Sequence, residues 1–464
     1  MAVPSALEIA MSIRRSETKV SDVVAAALVR VEAAQNLYNA FTLIRTKEAQ
    51  EEARFLDKLE QNARGPLHGV PIAIKDLTPS RGDLTTKGSR TLAGHVAERD
   101  AIVVDRLRRA GAIVVAKTTT PEFAHSGFTR SPLWGETRNP WSADRTPGGS
   151  SGGSAVSVAA GCVPLAEGTD MGGSVRIPAA LCGVLGMKPS LGRIPMDILS
   201  TGFDNISHFG AFARSIGDLH AFLRVTEGAS LMDIQSTSIH QPICANINSD
   251  LRGTRIAVSE DLGFYSVDKC IIRNLQNSVN ALIDAGAIVE KVSLNWKPSD
   301  VTLWAKLWAV LLSVETADVV DVFHDRLDPE LMKFMSSVRE LTAVDYKMLD
   351  RRRTELWQDL ASLFSVYDAL LSPTMCITAP AIGMSDADFT MIDETGRLHA
   401  MDMTCLFNLV GQCPVVAVPS GLDLGGLPTS VQIVGRPYQD SAVLNIGAAL
   451  EARNPWPLIP SMSM

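Results

Sequence analysis

The stretch that decides the fold is "RTPGGSSGGSAVSVAAG", residues 145–161, where four glycines and three serines fill the seven positions from Gly148 to Ser154. Gly/Ser runs are often flexible linkers. This run, however, continues into small and apolar residues as far as "AEGTD", which predicts a buried helix followed by a strand. Because ordering a glycine-rich loop costs backbone entropy, the glycines indicate close backbone approach or unusual dihedral angles. The stretch is therefore more typical of a functional loop than of a linker.

Two familiar glycine-loop motifs do not fit this run. A phosphate-binding loop ends in G-K-[ST], but Gly153 is followed by Ser154 and Ala155, so no lysine is there to reach the phosphates. The G-x-S-x-G motif of a nucleophile elbow occurs twice, yet an elbow requires a strand just before it, and "WSADRTP" does not look like one. None of the eight histidines can be singled out from the sequence as a catalytic base.

Two further segments stand at positions along the chain that allow them to meet this run in the fold. "GTDMGGSVRIPAALCG" (168–183) is a second glycine-serine turn leading into a helix, and Ser174 follows Ser150 by 24 residues. That spacing allows a helix and a strand to return the chain to the same end of a sheet. "HGVPIAIKD" (68–76) reads as a short buried strand with Lys75 at its end, where a charged amine is costly unless it is paired or neutral. Two serines and a lysine are thus expected at one sheet edge, where α/β proteins bind ligands.

Composition excludes several classes of protein. With 464 residues, 46% of them hydrophobic, the chain can bury a sizeable core, and its net charge of −8 argues against a nucleic-acid partner. The seven cysteines are scattered without a C-x-x-C pair, which predicts neither a metal site nor a disulfide framework and favours a reducing compartment. No signal peptide or membrane span is readable. We therefore expect a cytoplasmic protein with no membrane partner and no metal.

The remainder of the chain reads as alternating helices and strands. "DAIVVDRLRRAGAIVVAKT" (100–118) predicts a helix, a stop at Gly111 and a buried strand, and residues 272–289 repeat that pattern. Residues of about 300–365 predict a helical segment inserted in, or packed on, the α/β body, and residues 411–437 predict two core strands joined by a turn. One large α/β domain over 1–464 is expected, with a return to the core over about 366–464.

At these positions the sequence resembles the amidase signature family. The GGSS-G-G segment, the T-D-x-G-G-S turn and the strand-borne K-D stand at family spacing, and "TRNPW" (137–141), "FARSIGDL" (212–219) and "VQIVGRP" (431–437) support the match. The resemblance is close over about 60–220 and looser over 365–450. It implies an α/β fold with a large, mostly mixed central β-sheet flanked by helices on both faces.

The resemblance also implies a Ser–cis-Ser–Lys triad: Ser174 as nucleophile, Ser150 as bridge and Lys75 as base, with a cis peptide bond between Gly149 and Ser150. Since an ammonium cannot accept a proton, Lys75 must be neutral in the working enzyme, and burial would lower its pKa toward that state. The oxyanion hole is expected in the turn of Met171, Gly172, Gly173 and Ser174. Supporting roles are expected for Ser151, Asp170 and Arg176, with an Asp170–Arg176 ion pair holding the turn.

The substrate pocket is less readable than the triad. The family likeness places His125 and Ser126 where the chain passes the acyl pocket, and it places Phe128, Trp134, Phe203 and Phe209 in segments bordering the site. His208 stands where the sequence departs from the family, whose more usual run into G-P is here Gly210-Ala211. His125, Ser126, Phe128 and His208 are the candidate substrate contacts. Three residues of the helical segment are expected in its core rather than in the pocket wall: Trp304, Trp308 and Met332. No spare Arg or Lys is evident for a substrate carboxylate, so neutral, apolar acyl groups are favoured.

We therefore expect a serine amidohydrolase that cleaves C–N bonds of hydrophobic carboxamides: anilides, aliphatic amides, or related carbamates or esters. The expected partner is a small-molecule amide, without a cofactor, and a homodimer is compatible with the sequence. Two alternatives stay open. One is the glutaminase-like subunit of a tRNA-dependent amidotransferase, and the other is a non-catalytic binding protein of the same fold.

Overall fold

The computed structural model describes residues 3–238 and 241–456; the last residues of the expected C-terminal return, 457–464, lie outside it. The α-helices of the described part are α1 (Ala6–Arg14), α2 (Val20–Tyr38), α3 (Thr46–Leu56), α4 (Ile102–Arg109), α5 (Gly152–Ala159), α6 (Arg176–Cys182), α7 (Ile216–Thr226), α8 (Lys269–Asp284), α9 (Pro298–Glu315), α10 (Ala317–Phe323), α11 (Pro329–Ser336), α12 (Ala343–Phe364) and α13 (Asp440–Arg453). None of them is both long and apolar enough to cross a membrane.

The strands are β1 (Phe41–Ile44), β2 (Pro71–Lys75), β3 (Ile113–Thr118), β4 (Arg130–Ser131), β5 (Gly135–Glu136), β6 (Leu165–Asp170), β7 (Leu185–Lys188), β8 (His208–Ala213), β9 (Arg255–Val258), β10 (Ile288–Lys291), β11 (Ala369–Pro373), β12 (Val415–Leu422) and β13 (Pro428–Gly435). Eleven of them form one sheet in the order β1-β3-β2-β6-β8-β7-β12-β13-β11-β9-β10, and β4 and β5 form a small hairpin. The sheet is mixed, because β2 runs parallel to β3 and β6 whereas β8 is antiparallel to β6 and β7. The expected α/β fold with a mixed central sheet is thus confirmed.

Side chains alternate between two apolar layers on the opposite faces of the sheet. On β11, Ala369 and Leu371 belong to one layer and Leu370 to the other. This period of two is what a sheet buried on both faces requires. Helices α8 and α13 contribute to the first layer, and α9 and α12 contribute to the second. The segment expected to be helical therefore covers one face of the sheet.

The helices and strands predicted from the sequence agree with those of the structure. The helix, glycine and strand pattern of 100–118 is α4, Gly111 with φ of +90°, and β3. The glycine-serine run leads into α5 and then β6, and the C-terminal pair of strands is β12 and β13. All seven cysteines are free thiols, as their spacing predicted.

Candidate active site

Lys75 lies at the end of β2, between the parallel strands β3 and β6, and its side chain is fully buried. The Lys75 Nζ donates to Ser150 Oγ at 2.6 Å and to Thr169 Oγ1 at 2.9 Å. The strand end therefore brings the lysine to both glycine-serine segments, since Ser150 precedes α5 and Thr169 is the penultimate residue of β6.

Burial lowers the pKa of Lys75 to about 7, although the carboxylates of Glu167 and Asp170 oppose the shift. Desolvation disfavours the ammonium, and no carboxylate of the described residues bonds directly to Nζ to compensate. Glu167 instead bonds elsewhere, accepting from the Lys75 main-chain N–H at 3.0 Å and from Thr78 Oγ1 at 2.8 Å. A neutral amine is consequently accessible to Lys75 near neutral pH.

The loop that carries Ser150 is packed tightly against its neighbours. The peptide bond between Gly149 and Ser150 is cis, as the family resemblance implied. A Cβ on Gly149 would lie 2.6 Å from the carbonyl oxygen of Ser126, so only glycine fits there. Thr129 Oγ1 donates to the Gly148 carbonyl at 2.7 Å and accepts from the Gly152 N–H at 3.1 Å, which holds the loop from both sides.

Ser174 occupies the turn between β6 and α6. It is partly exposed, whereas Met171, Gly172 and Gly173 before it are buried. The Ser174 carbonyl accepts from the Ser151 N–H at 3.2 Å, which joins the two glycine-serine segments directly. Ser151 also reaches the main chain of β6, with its Oγ 3.3 Å from the Thr169 carbonyl oxygen. Ser174 is thus the accessible hydroxyl of an otherwise buried turn.

The Asp170–Arg176 pair fixes this turn. Both side chains are fully buried, and Arg176 Nη2 lies 2.8 Å from Asp170 Oδ1. The same carboxylate accepts from the Gly173 N–H at 2.9 Å and from the Val175 N–H at 3.2 Å. Burial alone would raise the pKa of Asp170, but the Arg176 guanidinium and the Asn408 amide hold it well below its ordinary range. The carboxylate therefore stays ionised and holds the turn in place.

The free N–H groups of the turn differ from the four that were expected. The Gly173 N–H already donates to Asp170, so it is not available to an oxyanion. The N–H groups of Met171, Gly172 and Ser174 have no acceptor within the residues that the structure describes. Within the described residues the turn thus offers three unbonded main-chain donors, and the oxyanion hole over Met171, Gly172, Gly173 and Ser174 stays a prediction in which the Gly173 N–H is engaged by Asp170.

Several residues around the turn were not found from the sequence as site residues. Thr404 Oγ1 lies 2.6 Å from the Gly172 carbonyl oxygen, and Asn408 Nδ2 lies 2.9 Å from Asp170 Oδ1. Both stand more than 220 residues beyond the turn, in a segment without a readable motif. Thr169 was within reach of sequence reasoning, because it belongs to the T-D-x-G-G-S motif, but no role had been assigned to it.

The contact of His208 with substrate stays a prediction, and the structure buries this side chain among main-chain carbonyls. His208 is 3% exposed, with Nδ1 3.0 Å from the Ile206 carbonyl oxygen and Nε2 3.0 Å from the Gly411 carbonyl oxygen. Burial lowers its pKa to about 3, with Lys188 adding to the shift. His208 begins β8 opposite Asp170 at the end of β6, and its Nδ1 lies 3.2 Å from the Asp170 carbonyl oxygen, so the ring packs against the main chain where the turn begins.

The other three candidate substrate residues lie in the segment that abuts the Ser150 loop. His125 is partly buried, and its Nδ1 bonds to the Glu122 carbonyl at 2.8 Å. Ser126 Oγ donates to Asp386 at 2.6 Å. Phe128 is buried and stacks on Phe389 with ring centroids 6.2 Å apart. None of the three bonds to the lysine or to either serine in the described part of the chain.

The aromatic residues expected to border the site differ in their burial and contacts. Phe209 is fully buried in the sheet core, and Phe203 is 79% exposed. Trp134 is held by a bond from its Nε1 to Thr86 Oγ1 at 2.9 Å. Trp304, expected in the core of the helical segment, packs against that core and also donates from Nε1 to the Met171 carbonyl at 2.8 Å. Its neighbour Trp308 does lie in that core, as expected.

Lys87 is a cation close to the strand end of Lys75 that was not identified from the sequence. The Lys87 main-chain N–H donates to the carbonyl of Asp76, the residue after Lys75, at 2.9 Å. Burial lowers the pKa of Lys87, with Glu315 opposing the shift. Its ammonium makes no hydrogen bond or ion pair among residues 3–238 and 241–456. Lys87 therefore weakens the expectation that no Arg or Lys near the site is available for a substrate carboxylate.

The chain belongs to the amidase signature family: the profile of the Amidase family matches residues 22–444. It is accordingly an amidohydrolase, as the resemblance in its motifs predicted.

Individual relatives are similar over nearly their whole length. An acylamidase of Rhodococcus erythropolis is 34% identical over 458 residues, covering 97% of this chain and 96% of the relative. A glutamyl-tRNA(Gln) amidotransferase subunit of an Exiguobacterium species is 33% identical, with 95% of each chain covered. The crystal structure of a bacterial aryl acylamidase of the amidase signature family superimposes with a TM-score of 0.91 at 26% identity, covering 98% of this chain and 97% of the other.

Proposed function

We propose that the protein hydrolyses hydrophobic carboxamides, foremost acyl anilides, through an acyl-enzyme on Ser174. The observation that carries this proposal is the contact between Lys75 Nζ and Ser150 Oγ, because a buried lysine with a pKa of about 7 bonded to a hydroxyl is suited to accept a proton. The accessible Ser174 stands on the neighbouring turn, joined to that loop through the Ser151 N–H.

In the proposed reaction the Ser174 oxygen attacks the amide carbonyl carbon. Its proton passes through the Ser150 hydroxyl to the neutral amine of Lys75. The carbonyl oxygen becomes an oxyanion that the N–H groups of Met171, Gly172 and Ser174 stabilise. The C–N bond then breaks, and the leaving nitrogen receives a proton from the Lys75 ammonium by the same path.

Water completes the proposed cycle. A water molecule gives its proton to Lys75 through the relay and attacks the acyl carbon, and the bond from that carbon to Ser174 Oγ breaks. Ser174 recovers its proton, and the carboxylic acid leaves. Neither step requires a group beyond the chain and water.

The apolar character of the substrate is supported by the surroundings of the Ser150 loop. The Cβ position of Gly148 would meet Ile177 and Leu181 at 3.0 and 3.2 Å. These two side chains belong to a small apolar cluster that also includes Phe128, Met375 and Met401. A substrate carboxylate placed among them would be desolvated without a partner. The names of the similar acylamidase and aryl acylamidase agree with an apolar amide.

A second candidate function is the glutaminase-like subunit of a tRNA-dependent amidotransferase. The likeness at 33% identity to such a protein over 95% of the chain favours it. The Lys87 ammonium, which has no partner among the described residues, is the first candidate to hold a glutamine carboxylate in that case. A non-catalytic binding protein is disfavoured, because the lysine and both serines are present and their segments adjoin.

Ser174 labelling tests the nucleophile. A fluorophosphonate probe should form one adduct, which peptide mapping should place on Ser174, and Ser174→Ala should abolish both labelling and amide turnover. Because only one partly exposed hydroxyl is lost, the thermal unfolding midpoint should stay close to that of the wild type. An adduct on another serine would reject the assignment.

Substrate choice is tested by comparing kcat/KM for an acyl anilide and for glutamine with the purified chain. We expect the anilide to be strongly preferred, because the apolar cluster offers nothing to a charged acyl group. Lys87→Met is the matched variant and should leave anilide turnover unchanged. A preference for glutamine that Lys87→Met removes would promote the amidotransferase interpretation.

We further propose that the chain is a single cytoplasmic domain. The continuous eleven-stranded sheet, with β1 and β10 at its edges, supports the single domain, and the seven free thiols support a reducing compartment. Light scattering of the purified chain would test the homodimer.

A further inference from the structure

We infer that Trp304, from helix α9, is a positioning residue for the oxyanion hole; this inference rests on the proposed function. Trp304 Nε1 donates to the carbonyl oxygen of Met171 at 2.8 Å. That carbonyl belongs to the peptide unit whose N–H is on Gly172, one of the three free donors of the turn. Trp304 therefore bonds to the carbonyl of this peptide unit, and the N–H on the other side of the unit is the donor that would face the oxyanion.

The planarity of the peptide unit connects the two ends. In a trans peptide the C=O and N–H bonds point in opposite directions, so a partner that fixes the carbonyl also fixes the direction of the N–H. The indole ring adds a steric constraint, because a Cβ on Gly172 would lie 2.1 Å from Trp304 Cζ2. The ring thus lies directly against the Gly172 α-carbon. A hydrogen bond and a contact from one side chain together oppose rotation of this peptide unit.

The adjacent peptide unit shows why this contact is special. Thr404 Oγ1 bonds to the Gly172 carbonyl at 2.6 Å, but the N–H of that unit belongs to Gly173 and is already taken by Asp170. Fixing that unit stabilises the turn without aiming a free donor. The Trp304 bond instead governs a free donor, and a rotated Met171–Gly172 unit would turn a carbonyl dipole toward the developing negative charge.

Helix α9 is itself held in place one turn before Trp304. Arg352 of α12 bonds to the buried Asp300 carboxylate with Nε at 2.7 Å and Nη2 at 2.9 Å. Asp300 and Trp304 are four residues apart, so they share one face of the helix. The helical segment thereby contributes to the chemistry that is otherwise built from the glycine-serine segments.

The test is Trp304→Phe, which keeps an aromatic ring and removes the donor, with Trp308→Phe as the matched control. Trp308 lies one turn further along α9, in the apolar core. With an acyl anilide, and with rates normalised to active sites titrated by a fluorophosphonate, we expect kcat of Trp304→Phe to fall about 10- to 100-fold, less than for loss of a donor itself. KM should change little. Trp308→Phe should keep the wild-type kcat even if its unfolding midpoint falls.

A second readout separates positioning from a general structural effect. A trifluoromethyl ketone forms a tetrahedral adduct whose oxygen occupies the oxyanion hole, so its inhibition constant should rise in Trp304→Phe by the same factor by which kcat/KM falls. Equal kcat values and equal inhibition constants for the two variants would overturn the inference alone. Wild-type protein that is neither labelled nor active on any amide would overturn the proposed function and this inference together.

Discussion

Two lysines buried in the same sheet, Lys75 at the end of β2 and Lys188 at the end of β7, differ in the chemistry of their partners. Both are fully buried, and burial lowers the pKa of each to about 7. Lys75 bonds to two hydroxyls, whereas Lys188 Nζ bonds to three main-chain carbonyls, of Cys413 at 2.8 Å and of Pro189 and Gly411 at 3.3 Å, and lies 3.5 Å from His208 Nε2.

This difference shows that burial alone does not make a lysine suited to act as a catalytic base. Carbonyl oxygens only accept, so the neutral amine of Lys188 would lose a hydrogen bond that its ammonium makes. Hydroxyls both donate and accept, so Lys75 keeps its partners in either protonation state. The partners of Lys75 therefore tolerate the loss and gain of a proton, and those of Lys188 favour the ammonium.

The largest expected effect is that of Lys75→Met compared with Lys188→Met. Lys75→Met should lower kcat by several orders of magnitude, with little loss of stability, because the proton acceptor is lost and an apolar chain replaces a buried amine. Lys188→Met should instead lower the free energy of unfolding by roughly 2–4 kcal/mol, because it leaves buried carbonyls without donors. Turnover assays and urea unfolding measure the two effects. Equal loss of kcat at equal stability in both variants would break the comparison.

The pH dependence of kcat/KM tests the role that this comparison assigns to Lys75. The working form of Lys75 is the neutral amine, and burial lowers its pKa to about 7. Activity should therefore be low in acid, rise as the pH passes through about 7 and level off above. Initial rates on an anilide across this range measure the midpoint. Undiminished activity well below neutrality would rule out a neutral-lysine base.

The sequence was most informative where the site is built from contiguous motifs. Lys75, Ser150 and Ser174 could each be placed at one sheet edge because strand ends and turns return to that edge at readable spacing. The Asp170–Arg176 pair followed from the short distance between the two residues along the chain. The single-domain organisation and the roles of the triad stay predictions.

What could not be read from the sequence depends on contacts between distant segments. Trp304 lies 133 residues beyond its partner Met171, and nothing in its helix distinguishes it from Trp308. His208 and Phe209 begin the same strand, and both are buried, because the strand is central and covered on both faces. The Gly173 N–H was counted as an oxyanion donor because its bond to Asp170 depends on the conformation of the turn.

Removal of metal ions is expected to have no effect on activity. This experiment tests whether the Ser174 proton goes to Lys75 or to a metal-bound hydroxide. In the described residues one group, His125, Asp328 and Glu330, has possible ligand atoms within 4.8 Å of one another. Glu330 is already paired with Arg130, whose Nη2 lies 3.0 Å from Oε2, and that guanidinium would repel a cation at the same carboxylate. Prolonged dialysis against a chelator should therefore leave kcat/KM on an anilide unchanged. Activity that is lost on chelation and restored by zinc would assign the proton to a metal-bound hydroxide and make Lys75 a structural cation like Lys188.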